Sequence, residues 1–176
     1  MSFRFTASRA ALLATAIALP ASAEDLPSLT LDPDATTVSG LSSGAFMTVQ
    51  MHIAFSGKIA GVAVVAGGPY YCAQDQLLSA LGSCMKGIGL PKAEDSIKAA
   101  EDFAKAGQID SLDGLKGDRV FLFSGTKDET VVQPVMDVTE EFYLKMGIAS
   151  DALEYVQNIP AGHAFLAEDG PVPCGV

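Results

Sequence analysis

A serine, an aspartate and a histidine occupy loops of this sequence in an order that suits acyl transfer. Ser42 lies in GLSSG at 40–44, which has the pattern G-x-S-x-G; Asp128 lies in FSGTKDETV and His163 in IPAGHAF. A serine hydroxyl is a weak nucleophile at neutral pH, so it needs an imidazole to accept its proton and a carboxylate to orient the imidazole. The chain order therefore predicts a serine hydrolase with Ser42 as nucleophile, Asp128 as acid and His163 as base.

The pattern G-x-S-x-G is common by chance, and its context decides whether it is meaningful. A short strand is predicted over 35–39 and a helix over 44–56, which is the strand–turn–helix setting that the motif requires. Glycines flank such a turn because side chains there are expected to clash. The neighbouring Ser43 breaks the spacing. Its backbone N–H, at the start of the helix, is instead predicted to be one oxyanion-hole donor.

The acid and the base each have an alternative. Glu129 is next to Asp128, and either residue could be a solvated loop acid; Asp128 is favoured because it follows a predicted strand by a few residues. The second histidine of the chain, His52, lies inside the helix over 44–56. It is expected to be a surface or packed histidine that points away from the nucleophile.

The elements that must position these residues alternate along the chain. Apolar, β-branched runs predict further strands over 59–67, 118–125 and 152–159, and the spacing of apolar residues predicts helices over 93–106 and 131–147. Strand–helix alternation indicates an α/β fold with a parallel sheet of about four strands and flanking helices. Functional residues of such sheets collect in loops after the strands, which is where Ser42, Asp128 and His163 lie.

The first 23 residues have the features of a secretion signal. Two arginines precede the apolar run AALLATAIAL, and Ala21-Ser22-Ala23 is a suitable cleavage site. We therefore expect export, with residues 24–176 forming one catalytic domain. The formal net charge is −10. This acidity disfavours nucleic acid or an anionic membrane as partner and favours a neutral or apolar substrate.

Three cysteines are present, and in an exported protein Cys72 and Cys84 could close a short disulfide loop. Cys174 is then left unpaired. A zinc site is not expected, because there is no C-x-x-C motif and no His/Cys cluster. No cofactor is expected either, since no G-x-G-x-x-G begins a helix.

Candidate substrate-binding residues are predicted from the aromatic residues near the loops that contain Ser42, Asp128 and His163. Tyr70 and Tyr71 follow the second strand and are candidate substrate-binding residues, with core packing as an equal alternative. Phe46, Met47 and Phe165 flank the catalytic loops, and core packing is preferred for the two phenylalanines.

Four ordered segments carry a resemblance to a known family: GLSSGAFM, VVAGGPYYCAQ, GDRVFLFSGTKDETV and IPAGHAF. They resemble extracellular poly(3-hydroxybutyrate) depolymerases and related esterases, with similarity across most of residues 36–176. The resemblance implies secreted serine esterases that cleave hydroxyalkanoate polyesters or their oligomers, with Ser42, Asp128 and His163 as the triad. It also implies a circularly permuted α/β-hydrolase fold, which explains a nucleophile so near the N-terminus.

The sequence departs from this family after His163. Only thirteen residues follow it here, whereas family members continue much further, so we expect several strands, part of the cleft and the second oxyanion donor to be missing. The expectation that follows is weak or no activity for this chain alone. The alternatives are a feruloyl esterase, an acetyl-xylan esterase or a lipase, and an inactive remnant or polymer-binding module.

Overall fold

The computed structural model describes residues 28–167 and residue 170. The chain divides into a first unit, Met1–Leu31, of which only residues 28–31 are described, and a second unit, Asp32–Val176. The predicted secretion signal over 1–23 and the predicted unpaired Cys174 lie outside the described residues.

The predicted parallel sheet is confirmed. Its four strands are β1 (Thr37–Leu41), β2 (Gly61–Val65), β3 (Arg119–Phe123) and β4 (Leu153–Val156), and they lie side by side in the order of the chain. All three pairings are parallel. The carboxyl ends of the strands therefore meet at one edge of the sheet, and the loops after β1, β3 and β4 contain the predicted catalytic residues.

Three long helices connect the strands. They are α1 (Ser43–Ala54), α3 (Ala93–Lys105) and α4 (Gln133–Lys145), each within two residues of its predicted ends. Proline stands in the first turn of α4, and Gly147 follows the helix with φ of 97°, as expected of a glycine after a helix end. The segment predicted as a loop after β2 also contains a short helix, α2 (Leu77–Ser79), which continues as a π-helical turn over Ala80–Cys84.

Side chains alternate between the two faces of the sheet, and the main core covers one face. Val62, Val64, Val120 and Leu122 point into this core, where α1, α3 and α4 contribute further buried residues. The next residue along each strand points the other way. Val65 and Phe123 pack there with Ala161, and Leu41 is packed against the same cluster. The end of β1 and the segment before His163 thus pack in the same hydrophobic cluster.

His52 is buried, so of the two predicted alternatives, a surface or a packed histidine, the structure shows the packed one. It is fully buried, its Nε2 is 3.0 Å from Asp118 Oδ2, and its Nδ1 is 3.2 Å from the Tyr143 hydroxyl. Burial lowers the pKa of His52, although the hydrogen bond and the charge of Asp118 act in the opposite direction. This network ties α1 to α4 and to the turn before β3.

Among the described helices, none is both long and apolar enough to cross a membrane.

Candidate active site

Ser42 occupies a strained turn between β1 and α1. Its φ is 59° and its ψ is −121°, in a region that non-glycine residues rarely adopt. The Ser42 N–H donates to the carbonyl oxygen of Val65 at 3.0 Å, and the Ser42 carbonyl accepts from the N–H of Phe46 at 3.0 Å. These bonds hold the serine at the carboxyl edge of the sheet, directly before the first turn of a helix.

The two glycines of the motif have different roles. A Cβ on Gly40 would lie 2.3 Å from the carbonyl carbon and oxygen of Gly44, so the sharp turn requires glycine at position 40. A Cβ on Gly44 would meet nothing within 4 Å. The expected clash of flanking side chains is therefore found at Gly40, whereas the structure gives no steric reason for glycine at position 44.

Asp128 and His163 are brought together by a direct hydrogen bond. His163 Nδ1 lies 2.8 Å from Asp128 Oδ2, and the Asp128 side chain is only 1% exposed against 21% for His163. The other carboxylate oxygen, Oδ1, accepts from the backbone N–H of Thr130 at 2.8 Å and of Val131 at 3.0 Å. The loop after β3 thus fixes one oxygen of the carboxylate and presents the other to the imidazole.

The loops after β3 and β4 are also joined through their backbones. The N–H of Thr126 donates to Ile159 at 2.9 Å, and the N–H of Lys127 donates to Ala161 at 3.1 Å. A Cβ on Gly125 would lie 2.1 Å from the carbonyl oxygen of Ala161, so this close approach depends on glycine. The Asp128–His163 contact therefore rests on a rigid pair of loops.

The hydrogen bond to Asp128 assigns the tautomer of His163. If Nδ1–H donates to the carboxylate, Nε2 is the nitrogen with a free lone pair. No other hydrogen bond to His163 is found within residues 28–167, and the ring is partly exposed. Chemically, an imidazole held in this way can accept a proton from a hydroxyl group and later return it.

Ser42 lies at the same carboxyl edge of the sheet as this pair, after β1. Leu41, directly before Ser42, packs against the second hydrophobic cluster, which contains Ala161, two residues before His163. Val131 lines the pocket that contains Ser42, and Thr130 lines the cavity that contains His163. Over the described part of the chain, no hydrogen bond joins the Ser42 hydroxyl to His163. Such bonds are often long before substrate binds.

A largely apolar pocket of about 520 Å³ opens beside Ser42. Phe46 and Met47 of α1 form one wall, and the segment from Tyr71 to Met85 forms the other. Of the two tyrosines predicted to bind substrate, only Tyr71 lines this pocket. Tyr70 is 5% exposed and packs in the main core, edge-on to Phe103.

The disulfide predicted between Cys72 and Cys84 is present, and both cysteines line the pocket. It closes the segment that carries α2. The core packing preferred for Phe165 is wrong, because its side chain is 62% exposed. Phe46 is partly buried and lines the pocket, so it combines packing with exposure to a ligand.

The predicted oxyanion donor, the N–H of Ser43, is the first in α1. Ser43 lines the pocket, and no backbone carbonyl of the described residues accepts a hydrogen bond from its N–H. An N–H at the start of a twelve-residue helix also benefits from the helix dipole. This donor can therefore stabilise a developing negative charge next to Ser42.

Three polar residues that line the pocket are not predicted from the sequence. They are Gln50 on α1 and Gln74 and Asp75 on the opposite wall, and no motif singles them out. In the described part of the chain, no group of three or more His, Cys, Asp and Glu residues could hold a metal ion.

Comparison with known proteins relates this chain to one group of enzymes. It is 40% identical over 174 residues to a poly(3-hydroxybutyrate) depolymerase of Delftia acidovorans, covering 96% of this chain and 35% of the relative. It is 32% identical over 143 residues to a polyhydroxybutyrate depolymerase of Talaromyces funiculosus, covering 80% of this chain and 40% of the relative. The chain thus spans well under half the length of these relatives. No family model matches the sequence.

Solved structures agree with the sequence relatives. The crystal structure of PHB depolymerase from Penicillium funiculosum superposes with a TM-score of 0.72 at 29% identity, covering 83% of this chain and 45% of that one. A serine-to-alanine variant of a PHB depolymerase, complexed with R3HB trimer, gives the same TM-score at 28% identity. By sequence and by fold, this chain is therefore a relative of the poly(3-hydroxybutyrate) depolymerases, with an α/β-hydrolase architecture over the part that it shares with them.

Proposed function

We propose that this chain is a serine esterase that hydrolyses ester bonds of poly(3-hydroxybutyrate)-type polyesters or their oligomers. The observation that carries the proposal is the 2.8 Å hydrogen bond between His163 and the buried Asp128, at the sheet edge that also holds the strained Ser42 turn. The names of the relatives supply the substrate class. The largely apolar pocket beside Ser42 suits an uncharged aliphatic chain.

The first half of the proposed reaction forms an acyl-enzyme. His163 Nε2 accepts the proton of the Ser42 hydroxyl as Oγ attacks the ester carbonyl carbon. Negative charge develops on the carbonyl oxygen, and the Ser43 N–H donates a hydrogen bond to it. Asp128 stabilises the imidazolium. When the C–O bond of the ester breaks, the imidazolium returns the proton to the leaving alkoxide.

The second half releases the acyl group. His163 takes a proton from water, the resulting hydroxide attacks the acyl carbon, and the bond to Ser42 Oγ breaks as Oγ regains its proton. The products are a carboxylic acid and an alcohol, and the side chains return to their starting protonation states. No other group is needed to balance the reaction.

A fluorophosphonate probe tests this proposal directly. The chain without its first 23 residues is incubated with the probe, and the adduct is located by mass spectrometry, with a short-chain p-nitrophenyl ester assayed in parallel. Labelling of Ser42 that disappears in His163→Ala is the expected result. A folded chain that shows neither labelling nor ester hydrolysis would refute the proposal for this chain and agree with the alternative expectation of an inactive remnant or a polymer-binding module.

Export belongs to the same proposal. The disulfide between Cys72 and Cys84 favours an oxidising compartment, and the first 23 residues have the features of a secretion signal. Expression of the full chain in a bacterial host, followed by cell fractionation and N-terminal sequencing, is expected to give a mature chain that begins near Glu24 outside the cytoplasm. Retention of an uncleaved chain in the cytoplasm would contradict it.

A further inference from the structure

The pocket wall opposite α1 has an unusual backbone. Tyr71, Gln74 and Asp75 have φ of 52°, 48° and 58°. Such conformations are costly for residues other than glycine and persist only where the surroundings hold them. Here Cys72 is tied to Cys84, and the N–H of Tyr71 donates to Gln50 Oε1 at 3.3 Å. The strained segment is therefore anchored to the π-helical turn and to α1.

This strain presents a tyrosine–aspartate pair to the pocket. The Tyr71 hydroxyl donates to Asp75 Oδ2 at 2.7 Å, and the Tyr71 ring packs edge-on to Phe103 at 5.2 Å between ring centres. The hydrogen bond to Asp75 raises the pKa of Tyr71, so the phenol stays protonated and keeps donating. The second oxygen of Asp75 has no hydrogen-bond partner among the described residues. It remains available to accept a hydrogen bond from a ligand.

Asp75 is also the only charged side chain among the described residues that line this pocket. Asp75 is exposed at the pocket, and its carboxylate can accept a hydrogen bond from a hydroxyl group of a ligand and repels another carboxylate. The two ends of a linear hydroxyalkanoate chain differ in this respect, because one end is a hydroxyl and the other is a carboxylate. The acyl half of any cleaved ester carries the hydroxyl end, whereas the leaving half carries the carboxylate end.

We infer that Tyr71 and Asp75 recognise the free hydroxyl end of the substrate, so that the acyl half of a hydroxyalkanoate oligomer occupies the Ser42 pocket. This inference rests on the proposed function and deepens it by assigning a direction to the substrate. Asp75 accepts the hydrogen bond from the terminal hydroxyl, and Tyr71 holds the carboxylate in place. Both residues act on specificity, because the chemical step is carried out at Ser42.

The other side of the site fits the same direction. His163 lines a more open cavity of about 640 Å³ together with Lys127. His163 must protonate the leaving alcohol, so the leaving half has to pass this side of Ser42. The cavity is lined by one exposed ammonium group, that of Lys127, and one exposed carboxylate, that of Glu129, so its charges do not select an end of the oligomer. The direction of the substrate therefore rests on Asp75 in the pocket and on the proton that His163 gives to the leaving alcohol.

Binding to a Ser42→Ala background tests the inference without turnover. The ligands are methyl esters of the linear (R)-3-hydroxybutyrate dimer and trimer, each with a free hydroxyl or with that hydroxyl capped as a methyl ether. Dissociation constants come from NMR titration. Asp75→Asn is added to the background, since Asn tolerates positive φ. The matched control is Asp113→Asn, an exposed acid paired with Lys116.

Capping is expected to weaken binding about tenfold in the Ser42→Ala background, which corresponds to one charge-assisted hydrogen bond. The same factor is expected with Asp113→Asn. With Asp75→Asn, the ratio of the dissociation constants of the capped and uncapped ligands should fall close to one. Tyr71→Phe should also reduce this ratio. An unchanged factor in Asp75→Asn would overturn the inference, and so would the absence of binding to a folded Ser42→Ala chain.

The proposed function has its own readout. Hydrolysis of p-nitrophenyl butyrate by the chain with Ser42 intact needs no terminal hydroxyl. Activity on this ester with no effect of capping would leave the esterase proposal standing and reject the role of Asp75. Binding that depends on the free hydroxyl, without any hydrolysis of p-nitrophenyl butyrate, would reject the esterase proposal and leave the role of Asp75 in binding standing.

Discussion

Both histidines of this chain hydrogen-bond to an aspartate, yet their surroundings differ. His52 is fully buried, and both of its ring nitrogens are occupied, by Asp118 and by the Tyr143 hydroxyl. His163 is partly exposed, and among residues 28–167 only its Nδ1 has a hydrogen-bond partner, Asp128. An Asp–His pair alone therefore does not indicate catalysis. A free nitrogen at an accessible edge is what allows an imidazole to exchange protons with a substrate.

The partner aspartates differ in the same way. Asp128 follows β3 at the carboxyl edge of the sheet and is held by backbone N–H groups. Asp118 precedes β3 at the opposite edge and bonds a histidine in the core. One strand thus separates an acid with a proposed catalytic role from one that stabilises the fold. The following predictions test this division, from the largest expected effect to the smallest.

Replacing each histidine by glutamine should separate the two pairs most strongly. His163→Gln is expected to lower the rate of ester hydrolysis or Ser42 labelling by about 10⁴-fold or more, because the base is lost. His52→Gln should leave the rate per folded molecule close to that of the unchanged chain. Kinetics with a p-nitrophenyl ester measure both. Equal losses of hydrolysis rate in the two folded variants would show that the free nitrogen of His163 does not distinguish its role from that of His52.

The aspartates should repeat this pattern with a somewhat smaller effect. Asp128→Asn is expected to lower kcat by about 10⁴-fold, since an amide no longer selects the tautomer in which His163 Nε2 is free. Asp118→Asn should change kcat little and act on stability. Circular dichroism serves as the folding control. A folded Asp128→Asn chain with an unaltered kcat would argue against Asp128 as the acid.

Tyr143→Phe should lower the free energy of unfolding without changing the carboxyl edge of the sheet, where Ser42, Asp128 and His163 lie. Its hydroxyl is the buried partner of His52 Nδ1, and its loss leaves that nitrogen unpaired, at a cost of about 1–3 kcal/mol. Tyr155→Phe is the matched control, because the Tyr155 hydroxyl bonds Asp137 at an exposed position and should cost less. Urea unfolding measures both. A larger loss for Tyr155→Phe would contradict the importance of the buried network.

The smallest expected effect is on the pH dependence of stability. Burial lowers the pKa of His52 below its ordinary 6.5, so the unfolded chain takes up a proton before the folded chain does. The free energy of unfolding should therefore fall as the pH drops below about 6.5, by at most about 1.4 kcal/mol per pH unit from this group, until the folded pKa is reached.

Urea unfolding at pH 7, 6 and 5 checks this contribution. His52→Gln lacks the titrating group, so its unfolding free energy should decline less steeply over this range. Identical slopes for the two chains would show that His52 does not contribute to the acid sensitivity.

Much of the fold was predictable because strands and helices bury different patterns of residues. The continuous apolar runs of β2 and β3 and the apolar spacing of α1 reflect burial that each element requires locally. The π-helical turn over Ala80–Cys84 was not predicted, since LLSALGSC is short and contains a glycine. Its ends are held by the disulfide and by contacts with distant segments.

The candidate site was predictable only in part, for a similar reason. Tyr70 and Tyr71 are neighbours with the same chemistry, so the sequence cannot separate them. Both rings pack edge-on to Phe103, but Tyr70 is buried in the main core, whereas Tyr71, which has a positive φ, lines the pocket. Asp75 could not be predicted as a pocket residue, because one loop acid in an acidic chain has no distinguishing pattern.

The sequence by itself determined the elements, the order of the strand-end loops and the residue types available for acyl transfer, because these depend on local spacing and on side-chain chemistry. Only the tertiary structure decided which loops meet, which histidine keeps a free nitrogen and which side chains line the pocket. Those outcomes depend on contacts between residues far apart in the chain, such as Gly125 against Ala161 and His52 against Asp118. Such contacts leave no periodic signal in the sequence.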